Sequence, residues 1–148
     1  MPAVRQWVCA FILTAAALAP ACAQEQEADP ADLVGVNLRE LVSRFGPPDS
    51  VLAVRGIEEW QDDVVFVYRD QEFYIFKDQI WQLGLKSFSG VSVGTRRERL
   101  AQVFGEALES QSGYILFPLA GRSMPLTLRF NTDARDLVSA IFIYRSDF

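Results

Sequence analysis

The chain has 148 residues, with 14 Lys+Arg against 19 Asp+Glu, no His and two Cys. Both cysteines, Cys9 and Cys22, fall in an N-terminal stretch that reads as a secretory signal, and Arg5 is its only charge. The 125 residues after position 23 therefore carry 13 basic and 19 acidic side chains, a net charge of −6, and neither thiol nor imidazole. That excludes disulfide frameworks, Cys nucleophiles, Ser-His-Asp triads and any zinc, copper or haem centre built on imidazole or thiolate, so no cofactor or metal is implied.

Residues 1–23 have the three parts of an export signal. A short n-region with Arg5 precedes an apolar run of 12 residues, 8–19, below the ~20 needed to span a bilayer as a helix. Pro20 breaks that run, and Ala21-Cys22-Ala23 supplies a small-residue cleavage signature before Gln24. The alternative reading is a lipoprotein box, Ala19-Pro20-Ala21-Cys22, with lipidated Cys22 as the mature N-terminus and a membrane tether. The expected location is periplasmic or secreted, with a membrane-anchored lipoprotein as the alternative.

Residues 24–31 are acidic, lack large apolar side chains and contain Pro30, which predicts a flexible leader. The remainder, 32–148, is long enough for one ordinary domain. Within it a short unit occurs twice, at about 32–89 and 90–148. Gly35, Leu41, Phe45 and Gly46 recur as Gly94, Leu100, Phe104 and Gly105, each 59 positions on.

The first copy predicts a helix. Asn37 with Glu40 forms a capping box, and Leu38, Leu41, Val42 and Phe45 make an i, i+3, i+4, i+7 stripe. Gly46 and Pro47-Pro48 end it. Strands are predicted at about 64–68, 72–76 and 79–85, with turns at Asp70-Gln71 and Lys77-Asp78. The second copy repeats the plan, with Thr95 and Glu98 as the box and Leu100, Val103 and Phe104 as the stripe. Its strands are predicted at about 113–117, 125–130 and 137–144. The expected fold is α+β: tandem helix plus antiparallel β-meander units, with the helices packed on one face of the sheet.

The front motif of Gly35, Asn37, Glu40, Leu41, Phe45, Gly46 and Pro47 is followed by a back motif of Phe76, Asp78, Ile80 and Leu83. The back motif returns more loosely as Phe130, Asp133, Val138 and Ile141. This order resembles the SmpA/OmlA (BamE-like) outer-membrane-assembly lipoproteins, and the duplication resembles the β-lactamase-inhibitor-protein fold. The first resemblance implies a role in outer-membrane assembly, the second inhibition of an enzyme.

The residues themselves offer little bond-making chemistry. Glu58-Glu59, Asp62-Asp63 and Asp133 with Asp136 are the carboxylate clusters; they lie in expected loops, where solvated charge is the ordinary outcome, and no calcium-loop spacing is present. Arg96, Arg97 and Arg99 are the densest basic group, interrupted by Glu98, and read as a solvated helix face. An acidic chain with no larger basic patch is not expected to bind nucleic acid. No enzyme is expected.

Strand patterning is more informative. The segment 125–131 alternates as a one-sided sheet does, whereas Val64-Val65-Phe66-Val67-Tyr68 and Phe73-Tyr74-Ile75-Phe76 are apolar on both faces. A second apolar face needs a cover, and Trp60, Tyr68, Tyr74, Trp81, Tyr114 and Tyr144 suit contact with a protein, combining area with a polar tip. The expected function is an exported cell-envelope binding or scaffold protein that holds a protein partner on its sheet. Alternatives are a carrier of a lipid or hydrophobic ligand, whose cargo would line an apolar cavity, and a secreted enzyme inhibitor acting through the loop at 54–62.

Overall fold

The computed structural model describes residues 29–55 and 63–147. A 3-10 turn at Pro30–Leu33 leads into helix α1 (Leu38–Phe45) and strands β1 (Ser50–Val54), β2 (Asp63–Tyr68), β3 (Gln71–Phe76) and β4 (Gln79–Leu85). A small hairpin, β5 (Ser87–Phe88) and β6 (Val91–Ser92), precedes α2 (Glu98–Phe104). Strands β7 (Glu109–Gln111), β8 (Tyr114–Leu119), β9 (Leu126–Thr132) and β10 (Val138–Arg145) complete the order.

The expected α+β arrangement of separate helix-plus-meander units is corrected by the sheet. The described residues are mostly β: one antiparallel sheet of eight strands, in the order β1-β2-β3-β4-β10-β9-β8-β7, carries two short α-helices. The physical reason lies at the centre, where β4 and β10 pair directly. Leu83 faces Ile143 and Leu85 faces Ile141, so backbone hydrogen bonds run on without a break from one half to the other. The helices stay short because Gly46 (φ 77°) and Gly105 (φ 79°) end them in a conformation that other residues adopt at a cost.

One face of the sheet bears the helices and the core. Alternation sends Phe73, Ile75, Ile80, Leu83, Ile115, Phe117, Leu128, Phe130, Ile141 and Ile143 to that side, all buried. With Leu41 of α1 and Leu100 of α2 they form one contiguous cluster drawn from both halves. The two helices are fixed differently. In α1 the Asn37 side chain accepts the Glu40 N–H at 2.9 Å, as its capping box requires. Of the expected stripe only Leu41 is fully buried, while Val42 and Phe45 are exposed. In α2 the expected cap is absent: Thr95 Oγ1 accepts instead from the Ser92 N–H at 3.1 Å, and Arg97 holds the N-cap position without a side-chain capping bond. Phe104 compensates with ring contacts to Phe117 and Phe130, at 5.3 and 5.2 Å between centroids, and stacks on Phe88.

Folded structure starts before the expected boundary at residue 32. Asp29 caps the 3-10 turn by accepting the Ala31 N–H at 2.9 Å, and Ala31 and Leu33 are buried. Arg122 pairs with both Asp29 and Asp32, pinning the segment to the loop before β9. Gly35 (φ 88°) lies close against the same loop: a Cβ there would come within 2.7 Å of Met124 Cε.

Candidate functional site

The opposite face of the sheet is built from the intervening positions. Cross-strand register places Leu52, Val65, Tyr74, Gln82, Phe142, Arg129, Asn131, Tyr114 and Leu116 on it. Among the described residues, no helix lies on this side.

A β-bulge shapes the middle of the face. Tyr74 pairs with Gln82 and Ile75 pairs with Ile80, which leaves Trp81 as the extra residue of β4. With Ile80 and Leu83 both directed into the core, the bulge lets Trp81 and Gln82 lie together on the open side. Trp81 meets Tyr74 edge to face at 6.5 Å, and Tyr74 meets Phe142 in the same way at 6.3 Å. Three rings thus cross β3, β4 and β10 in a row. Gly84 makes room at its end: a Cβ there would lie 3.0 Å from Glu72 Oε2 and 3.5 Å from the Phe142 ring.

Two of these rings carry a polar tip, and both tips are held. Trp81 Nε1 donates to Asp63 Oδ1 at 2.9 Å, and the Tyr74 hydroxyl donates to Glu72 Oε2 at 3.1 Å. Burial, then the Glu72 carboxylate and its hydrogen bond, then Asp63 push the Tyr74 hydroxyl up to about 12. Across the face, the Tyr114 hydroxyl donates to Glu109 Oε1 at 2.6 Å, which raises its pKa. The Arg129 guanidinium lies over the Tyr114 ring, 4.6 Å from its centroid, while its Nε donates to Asn131 Oδ1 at 2.7 Å. Trp81, Gln82, Arg129, Asn131, Phe142 and Tyr144 line a depression of about 380 Å³. The rings are held in place, and amide and guanidinium groups lie beside them.

The expected contact residues divide. Tyr74, Trp81, Tyr114 and Tyr144 come together on the open face. Tyr68 does not: it is 9% exposed on the helix-bearing side, its hydroxyl donates to the Gly46 carbonyl at 2.9 Å, and its ring packs against Phe45 and Phe73. It is a core residue and is withdrawn from the contact set. Trp60 lies outside the described residues, as do Glu58, Glu59, Asp62 and Cys22. Phe142, Gln82, Arg129 and Asn131 were not expected at the site. Their signal is in the alternation, since each sits one place from a core residue of its own strand.

Two of the described acidic candidates have local structural roles. Asp63 holds Trp81. Asp133 accepts the backbone N–H groups of Arg135 and Leu137 at 2.8 and 3.0 Å, bonds that hold its carboxyl below the usual carboxylate range and close the turn before β10. No group of three or more His, Cys, Asp or Glu among the described residues is arranged to hold a metal ion. In the basic group, Arg97 is mostly covered and donates to Ser110 Oγ at 2.9 Å, whereas Arg96 and Arg99 are exposed.

No family model matches the chain, and no curated protein matches it. Its fold is similar to that of an extracellular protein containing an SCP domain from Bacillus anthracis, at 10% identity and TM-score 0.54, over 84% of this chain and 48% of that one. It is also similar to a cysteine-rich secretory protein from Staphylococcus aureus, at 11% identity and TM-score 0.52, over 82% and 47%. The chain spans about half the length of either, and at these identities the likeness is one of fold. The SmpA/OmlA (BamE-like) and β-lactamase-inhibitor resemblances are corrected accordingly: the structural likeness leads elsewhere, and the single large sheet differs from the architecture they imply. No helix among the described residues is long and apolar enough to cross a membrane.

Proposed function

We propose that the protein is an exported binding protein of the cell envelope or its surroundings, which holds a protein partner on the open face of its sheet. The observation that carries this reading is the row Trp81–Tyr74–Phe142 with its polar neighbours, on a face that no described helix covers. Aromatic side chains with tethered polar ends lose little rotamer freedom on binding, and they dominate protein contact energies. The export signal read from residues 1–23 supports the location, as do structural neighbours described as extracellular and secretory.

The open face favours a protein over a hydrophobic cargo. Its depression is lined by Gln82, Arg129 and Asn131 as well as by rings, and burying a guanidinium and two amides against an alkyl chain would desolvate them without a compensating partner for their remaining polar atoms. The test is affinity capture from envelope extracts with the wild-type chain and with Phe142→Ala and Tyr144→Ala. The reading expects a specific companion that both substitutions release while the thermal midpoint changes little. A companion retained by both variants would contradict it.

A further inference from the structure

We propose that the chain associates with a second copy of itself through β1, edge to edge and antiparallel, about a two-fold axis at Leu52. The proposal does not depend on the open-face reading.

The two edges of the sheet are built differently. Strand β7 is three residues long, Glu109-Ser110-Gln111, polar throughout and carrying a charge. Short, charged edges of this kind resist pairing with another chain. The other edge is β1, Ser50-Val51-Leu52-Ala53-Val54, uncharged and exposed at all five positions. Val51 is 55% exposed, Leu52 50% and Val54 43%; with Val64 of β2 at 44%, four of the nine exposed large hydrophobic residues among those described lie at this margin. Along β1 the described backbone partners belong to β2, on one side only. In an antiparallel ladder every second residue then directs its N–H and C=O outward, as a template for one more strand.

The sequence around β1 is complementary to itself. Antiparallel pairing centred on Leu52 sets Leu52 against Leu52 of the second copy, Val51 against Ala53 and Ser50 against Val54. The next pair outward sets Asp49, whose Oδ2 also accepts the Arg69 N–H at 2.7 Å, against Arg55, which has an interaction within its own chain as well; the symmetry repeats that pair at the other end. Two opposite-charge pairs therefore flank an apolar centre, and no like charges meet. A slip by one residue would lose the ion pairs, so the charges select the register. The contact is isologous and closed, with the same patch used on both copies, which yields a dimer and not a fibre. Because strands of one sheet are related by an axis normal to it, the two open faces would point the same way and present two aromatic rows side by side. An interface this narrow belongs with the small, weak class, so association should depend on concentration.

Sedimentation equilibrium of the mature chain over a concentration series tests this. A reversible monomer–dimer equilibrium is expected. Leu52→Lys replaces an exposed side chain and sets two ammonium groups together at the axis; it should weaken association by roughly tenfold or more while leaving the circular dichroism and thermal midpoint unchanged. Arg55→Asp, which opposes Asp49, should also weaken it, and the double exchange Asp49→Arg with Arg55→Asp should regain part of the loss. A chain that stays monomeric at the highest concentration would overturn the proposal. So would progressive aggregation without a discrete dimer, a Leu52→Lys chain that dimerises like the wild type, or an Arg55→Asp chain that associates unchanged.

Discussion

The two faces of the one sheet solve different physical problems with neighbouring residues of the same strands. On the helix-bearing face most side chains are Phe, Leu and Ile, buried in one cluster drawn from both halves. On the open face the rings are Trp, Tyr and Phe, and three of their donors are tied to carboxylates: Tyr74 to Glu72, Trp81 to Asp63 and Tyr114 to Glu109. The first face gains free energy by excluding water from one interior. The second holds apolar area at the surface in fixed geometry, which contributes little to folding but lowers the ordering cost of a later contact. The strands thus carry a folding code in one set of positions and, on the proposed reading, a contact code in the alternate set.

Substitutions should separate the two codes. Phe73→Ala, at a fully buried position on the helix-bearing face, is expected to cost about 3–5 kcal/mol by urea unfolding. Leu100→Ala, at the fully buried position of α2, should cost about 2–5 kcal/mol. Tyr144→Ala on the open face should cost about 1 kcal/mol or less while abolishing partner capture. A stability loss at Tyr144 as large as at Phe73 would mean that the open face belongs to the core. The helix caps give a finer contrast: Asn37→Ala should cost about 1 kcal/mol, and Thr95→Ala clearly less, because Thr95 caps the turn before α2 and not the helix.

The smallest effect is in alkali. The Tyr74 hydroxyl is raised to about 12 from an ordinary value of 10.0, so the folded state holds its proton more tightly than the unfolded chain. The associated stability is complete below pH 10 and is lost as pH rises from 10 towards 12. Tyr74→Phe removes that titration, so its stability should fall less over the same interval in paired urea melts.

Much of this was legible in the sequence, and the exceptions have causes. Six strands, β2, β3, β4, β8, β9 and β10, lie within two residues of their expected positions, because alternation and turn residues such as Lys77-Asp78 are local signals. The joining of β4 to β10 is a long-range choice among edges of similar pattern, and nothing local distinguishes it. Strands β1 and β7 are short and lack a buried face, so they produce no periodicity. Tyr68 was misplaced because a residue from a doubly apolar strand has no sequence mark for its face; its partner Phe73 settles it only in three dimensions. Conversely, the spacing of Ile80 and Leu83 breaks strict alternation, and that break marks the bulge that turns Trp81 outward. Reading β10 and β9 by parity would also have added Phe142, Arg129 and Asn131 to the candidate face.

The central claim is that the open face is the one that meets a partner. Photo-crosslinking in the native envelope addresses it, with a photoreactive residue placed in turn at Gln82 and Tyr144 on the open face and at Arg39 and Val103 on the two helices. Adducts to another protein from Gln82 and Tyr144, with none from the helical positions, are the predicted result. Adducts that arise from the helices, with the open face silent, would contradict it.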